Sequence, residues 1–144
     1  MNWEMIKVYC SMVEDGNASY WDEDYANKQW GGIVAPSGLL LTWAMALQWH
    51  PHKEREHYFI AMKIPLPGDT LINVATDTEF HRHLYLGDRI SVVDELIDVS
   101  EEKKTRLGVG HFLTTKAQFF NQRDQLIAEQ NNSLFRYYVP EGES

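Results

Sequence analysis

An α+β fold, a curved antiparallel sheet wrapped around one central buried helix, is predicted by two observations. The run from Ser37 to Trp49 is almost entirely apolar, and a helix that is hydrophobic around its whole circumference is a buried one. Helical patterns fill the first part of the chain, whereas strand-like segments follow one another after residue 70, the order of elements that builds α+β layers.

The core run would form a rod of about 20 Å, too short to span a bilayer, so the strands must cover it. Ser37 is placed as its N-cap and Pro36 stops any helix arriving from upstream. The N–H groups of Gly38 and Leu39 would then point outward at a positive dipole end able to hold an oxyanion. Upstream, Trp3, Ile6, Val8, Tyr9, Met12 and Val13 recur at helical spacing over residues 2–13, ending at Asp15-Gly16-Asn17. Asp22, Glu23 and Asp24 open a short second helix over residues 22–29 that stops at Trp30-Gly31-Gly32. From His50 to Thr70 the chain is polar and proline-interrupted, a loop expected over a site or at an interface.

Four strands are predicted over residues 71–81, 89–101, 105–121 and 125–139, forming an antiparallel meander with turn residues such as Leu86-Gly87-Asp88 between them. Leu113, Thr115, Ala117 and Phe119 alternate with Thr114, Lys116 and Gln118, so one face of that strand turns inward. The long strands leave an edge, which points to a dimer or higher oligomer.

With 144 residues, 44% of them hydrophobic and 12% aromatic, the chain has enough apolar material for one domain spanning residues 1–144. It has no apolar run of membrane-span length and no signal-peptide layout, which makes the cytoplasm the expected location and leaves no role for a membrane. The single Cys10 has no internal disulfide partner and reads as a small buried hydrophobe. A formal charge of −8 argues against nucleic acid as a partner. It leaves room for a small anion, because Lys103, Lys104, Arg106 and Lys116 cluster while the acids dominate the first 25 residues.

Chemistry-bearing groups gather in two places. Between Glu14 and Asp22 lie acids, an asparagine and a tyrosine. Asp22, Glu23 and Asp24 read as capping and dipole devices, whereas Asp15 and Asn17 fall in a turn able to face the amino end of the core helix. Downstream, Gly108-Val-Gly110-His111 beside Lys103, Lys104 and Arg106 forms a candidate anion site, although a β-bulge explains both glycines equally well. His50-x-His52 with His57, and His81-x-His83, have metal-ligand types but no supporting spacing, so neither a metal site nor a cofactor is expected.

The sequence resembles a known family at these positions. Asp15-x-Asn17-x-x-Tyr20-x-Asp22-x-x-Tyr25-Ala26, followed by Gly32-Ile-Val-Ala-Pro36-x-Gly38, resembles the MaoC-type hot-dog domain of (R)-specific enoyl-CoA hydratases. Glu79-Phe-His-Arg82, Leu86-Gly-Asp-Arg89 and the stretch from Glu101 to Phe112 are similar to the MaoC half of one subunit of the hetero-oligomeric enoyl-CoA hydratases that act on steroid side chains.

The resemblance implies a hot-dog fold. It also implies an active half with an Asp followed five residues later by a His, and an oxyanion N–H from the glycine opening the core helix. Asp15 matches the Asp and Gly38 the glycine, but Tyr20 stands at the His position. A tyrosine's ordinary pKa near 10 makes it a poor base at neutral pH. The resemblance therefore implies a non-catalytic subunit that shapes the acyl-CoA site of a paired subunit carrying the Asp–His pair. Gly38 and Asn17 would lie near the substrate, and Lys103, Lys104, Arg106, Gly108, Gly110 and His111 would bind CoA. The related subunit continues into an OB-fold module, so a chain ending at Ser144 is either part of a longer protein or a stand-alone version. The alternatives are an acyl-CoA-binding or scaffold module without hydratase activity, or a homodimeric hot-dog thioesterase using Asp15 or Asp22.

Overall fold

The computed structural model describes residues 1–45, 49, 51–52 and 60–140. These fall into two compact units that interleave along the chain. The first holds Met1–Met45, Phe80–Val92 and Phe119–Ala128. The second holds Ala46–Glu79, Val93–Gln118 and Glu129–Ser144. Among the described residues no helix is long and apolar enough to cross a membrane.

In the first unit, α1 (Trp3–Met12) starts at Asn2, whose side chain accepts from the Met5 N–H. It buries Ile6 and Cys10 at helical spacing. The second helical pattern resolves into two pieces, α2 (Ala18–Trp21) and α3 (Glu23–Trp30). Asp22 ends the first and N-caps the second by accepting from the Tyr25 N–H at 3.0 Å, the role its position predicts. Gly31 closes α3 with a left-handed φ of 81°, a conformation glycine adopts without steric cost. Ile6, Cys10, Ala26 and Ile33 form a buried cluster onto which Trp3, Tyr9, Tyr20, Ala35 and Trp43 pack.

The predicted core helix is shorter and more exposed than its composition suggests. Ser37–Leu39 form a 3₁₀ turn, α4 covers only Leu40–Ala44, and Met45 is extended. Leu41 and Met45 are 42% and 43% exposed, and Trp49 is 75% exposed. An all-apolar composition thus misjudged the exposure and the place where the helix first stops, and no glycine or proline at positions 44–45 signals that stop; residues 46–48 of the predicted run lie outside the described residues. Ser37 makes no side-chain cap; it lies inside the 3₁₀ turn, after Pro36.

Asp88 organises the turn that follows the first strand. Its carboxylate is buried and accepts from the Tyr85 N–H and the Gln122 side-chain amide, both at 2.9 Å, with the Arg123 guanidinium at 3.8 Å. Its N–H donates to the Tyr85 carbonyl at 3.0 Å. The same turn is tied to the chain before α4. The Ala35 N–H donates to the Leu84 carbonyl at 2.7 Å, the Leu86 N–H to the Ile33 carbonyl at 2.9 Å, and Val34 bridges to Tyr85.

Most of the sheet lies in the second unit, where α5 (Ile60–Lys63) is also found. Its strands are β1 (Thr70–Phe80), β2 (Ser91–Val99), β3 (Lys103–Lys104), β4 (Val109–Phe120) and β5 (Leu126–Tyr138). The spatial order is β1-β5-β4-β2, with β3 paired to β4. The expected meander is therefore corrected, because β1 lies beside β5 and not beside β2. The reason is the chain between β1 and β2: it is too long for a tight hairpin, and its backbone groups bond to residues 33–35. The period-two pattern holds in β4, where Leu113, Thr115 and Ala117 are buried between partly exposed neighbours. Ala61, Leu113 and Leu134 form the unit's buried cluster, with Ile64, Leu66, Leu71, Leu96 and Val99 against it.

Arg136 of β5 is 9% exposed and its guanidinium serves backbone carbonyls: Gly68 at 2.7 Å, Ala61 at 3.1 Å and Ile64 at 2.7 Å. These bonds fasten the segment from α5 to Gly68 onto β5. Replacing Arg136 by Leu leaves those carbonyls without their donor, and an unsatisfied buried group costs about 1–3 kcal/mol. Arg136→Leu is expected to destabilise the protein by about 3 kcal/mol in urea denaturation; a loss below about 1 kcal/mol would show that water replaces the guanidinium.

Candidate functional site

A cavity of about 400 Å³ opens in the first unit. One wall comes from the α2 region, with Asn17, Ser19 and Tyr20; another from the chain before α4, with Val34, Ala35 and Ser37; a third from Phe80 to Leu84. The third wall is held in place because the N–H groups of His81 and Arg82 both donate to the Ile127 carbonyl, at 2.8 and 3.2 Å.

The polar groups of this lining are oriented by the fold. Asn17 N-caps α2, its Oδ1 accepting the Ser19 N–H at 3.0 Å, which leaves its Nδ2 hydrogens as the end available elsewhere. The Ser19 Oγ accepts from the Trp30 indole N–H at 2.9 Å, so its own hydrogen is free to donate. Trp30 carries His83 against its ring, centroids 4.9 Å apart, and Tyr85 meets His83 edge-on at 6.5 Å. The Tyr85 hydroxyl donates to the Trp30 carbonyl at 3.0 Å.

Tyr20 lines the cavity with its ring packed on the α1 cluster and its carbonyl accepting from the Trp3 indole N–H at 2.9 Å. Burial raises the phenol above its ordinary 10.0, and the neighbouring Asp15 carboxylate adds to the shift. Burial first and Asp15 second also push the Cys10 thiol above 9.0. Both groups therefore stay protonated at neutral pH. Asp15 itself is engaged in the turn: its Oδ1 accepts the Asn17 N–H at 3.0 Å and its carbonyl accepts the Trp21 indole N–H at 2.7 Å.

Of the four residues singled out in this region, Asn17 and Tyr20 line the cavity while Asp15 and Gly38 do not. Gly38 lies under the Tyr9 phenol, where any side chain would collide. The Leu39 N–H is not free as expected, because the 3₁₀ turn gives it the Pro36 carbonyl at 3.0 Å. Sequence reasoning missed Ser19, Trp30 and Ser37 as lining groups. Arg82 was visible only as part of a motif, and His83 only as a metal-ligand type. The first strand, expected to reach His81, stops at Phe80, so both His81 and His83 fall in the connection that follows it. His50 and His57 lie outside the described residues.

The basic candidate set lies in the second unit. Lys103 and Lys104 form β3 opposite Gly110 and Val109 of β4, and their side chains are exposed, as is Arg106. Gly108 and Gly110 have a structural explanation, because a Cβ at either would strike the β5 backbone around Arg136–Tyr138. The His111 Nδ1 lies 2.9 Å from the Ser100 carbonyl. A carbonyl only accepts, so Nδ1 carries the hydrogen and, in the neutral ring, Nε2 is left as an acceptor.

The raised thiol and phenol fix the sign of one pH effect. Above pH 9 the unfolded chain gives up the Cys10 proton, and above pH 10 the Tyr20 proton, while the folded chain retains them. Stability is thus complete below these values and falls as pH rises through them. Urea denaturation between pH 8 and 11 is expected to show this fall, flattened in Tyr20→Phe and Cys10→Ala; unchanged slopes in both variants would contradict it.

Comparison with known proteins agrees with this architecture. Residues 2–130 match the model of the FAS1-like, dehydratase domain region family. A Thermomonospora curvata protein named probable enoyl-CoA hydratase alpha subunit is 34% identical over 143 residues, covering 95% of this chain and 45% of the relative. The 3-oxo-4,17-pregnadiene-20-carboxyl-CoA hydratase alpha subunit of Mycobacterium tuberculosis is 29% identical over 141 residues, with the same coverage. The chain thus spans a little under half the length of these relatives. The crystal structure of the ChsH1-ChsH2 complex from Mycobacterium tuberculosis superposes with a TM-score of 0.77 at 25% identity, covering 99% of this chain and 85% of that one. The fold is the α+β hot-dog fold, and the chain belongs to the FAS1-like dehydratase-region family of MaoC-like domains.

Proposed function

We propose that this chain forms a single MaoC-like domain acting as the non-catalytic subunit of a hetero-oligomeric enoyl-CoA hydratase, shaping the acyl-CoA site of a second subunit that carries the Asp–His pair. Hydration of a 2-enoyl thioester places the water oxygen on the β-carbon and a proton on the α-carbon, so a group must take a proton from water and return one. The observation that carries the reading is Tyr20: a phenol held protonated stands where the resemblance places the histidine, and it cannot serve as a base near neutral pH. The names of the relatives, both alpha subunits of CoA hydratases, support the division of labour, as does the likeness to a chain from a two-component complex. The M. tuberculosis relative's name makes a steroid side-chain thioester the substrate to try first.

CoA would be held through its phosphates by the exposed Lys103, Lys104 and Arg106, next to Gly108, Gly110 and His111 of β4. Cations in a chain of net charge −8 focus an anion locally.

The isolated chain is expected to give no enoyl-CoA hydration above background, since loss of a general base typically removes ~10²–10⁴-fold. Turnover, followed by loss of the enoyl absorbance, should return when an Asp–His-bearing subunit is added. Efficient hydration by the chain alone would refute the assignment. In the assembled enzyme, replacing Lys103 and Arg106 together by Glu should weaken CoA binding by about tenfold or more in calorimetry, with a steep dependence on salt; unchanged affinity would move the CoA site elsewhere.

A further inference from the structure

Three rings of the second unit lie in a column. Phe112 of β4 stacks on Phe135 of β5, with centroids 4.6 Å apart and 27° between the planes, and Phe135 stacks on Tyr137 at 5.2 Å and 8°. The middle ring is 1% exposed, whereas Phe112 is 36% exposed. With one face held against Phe135, Phe112 shows solvent its other face and rim, on a ring that its neighbours keep in place.

The glycines beside the column make room for it. A Cβ at Gly108 would come within 2.8 Å of the Tyr137 ring, and one at Gly110 within 2.8 Å of the Tyr137 Cβ. Lys103 stands opposite Gly110 across the β3–β4 ladder. Ladder partners share a face of the sheet, as do residues two apart in one strand. Lys103 and Phe112 therefore lie on the same face, separated by roughly 7 Å along the strand direction. Lys104 and Arg106 are exposed nearby. Charge alone is a thin basis for holding an anion here, because Glu101 and Glu102 immediately precede the lysines.

The geometry points to the exposed face of Phe112 as the seat of the adenine ring of CoA, with Lys103 against the neighbouring phosphates. A purine is flat and offers a π-face to an aromatic side chain, a contact that contributes about tenfold or more to affinity. Unlike an ion pair, that contact is hardly weakened by salt. A nucleotide with phosphates on its ribose needs a ring partner and a cation within reach of each other, and this face supplies both. Phe112 is then a binding residue for the base, and Gly108 and Gly110 act through Tyr137, whose ring backs the column.

This inference rests on the acyl-CoA reading above, and its test separates the two. The probes are CoA, 4′-phosphopantetheine, which lacks the adenosine, adenosine 3′,5′-bisphosphate, which lacks the pantetheine, and a 2-enoyl-CoA. Binding to the assembled two-subunit enzyme is measured by calorimetry. CoA is expected to bind about tenfold or more tightly than 4′-phosphopantetheine. Phe112→Leu should remove that advantage, leaving 4′-phosphopantetheine unaffected, and the loss should persist at high salt. Phe112→Trp, which keeps a ring in place, should retain the advantage, and it carries the test if the leucine variant does not fold. Equal affinity for CoA and 4′-phosphopantetheine, a ratio unchanged by Phe112→Leu, or a ratio lost in Phe112→Trp would overturn the inference while leaving the acyl-CoA reading in place. Binding of the bisphosphate that is lost in Phe112→Leu, without binding of the enoyl-CoA, would retain the adenine site and overturn the acyl-CoA reading. If no probe binds, both fall.

Discussion

A buried carboxylate has to be fully hydrogen-bonded to be tolerated at all, and Asp88 meets that constraint in a way that shapes the first unit. Its two oxygens are answered by a backbone N–H within its own turn and by side chains from the β4–β5 connection. Because both sets of donors must be present together, the turn and the connection are fixed as one piece. The strip from His81 to Leu84 hangs between this turn and the Ile127 carbonyl, and that strip is a wall of the cavity. The cavity therefore has its form because a buried charge outside its lining requires partners.

Much of the secondary structure was legible in the residues, because it depends on signals that act over a few positions. The α1 periodicity, the cap at Asp22, the alternation in β4 and the turn before β5 each have a local cause, and each appears in the structure. What was not legible depends on partners distant in sequence. The meander failed because neither β1 nor β2 carries any mark of its neighbour, while the bonds between Leu84, Leu86 and residues 33–35 decide where the chain goes. The length and exposure of the core helix were missed for a related reason: apolar composition reports that a segment avoids water, not how many turns it makes or what covers each side.

The site divides along the same line. Asn17 and Tyr20 were identified by motif, yet their chemical roles come from contacts that no motif encodes, namely the cap on the Ser19 N–H and the burial beside Asp15. Ser19 carries no distinctive signature in sequence and gains its meaning from an indole eleven positions away. Gly108 and Gly110 show the reverse error, in which glycines suggestive of a phosphate cradle are explained by the close passage of β5. That explanation and an anion bound by the neighbouring cations are compatible, since the first concerns backbone clearance and the second charge.

The cap at Asn17 joins two properties that are usually adjusted separately. A side-chain amide is a two-ended group, and whichever end starts the helix, the opposite end is what remains. In this chain the requirement to begin α2 fixes the polarity displayed to the cavity. Serine or aspartate in its place would still begin the helix, yet each would replace the paired amide hydrogens with a hydroxyl or a negative charge. A substitution neutral by the measure of folding would thus rewrite the polarity of this lining, and drift at a helix start becomes a route by which a cavity changes character without any change of fold.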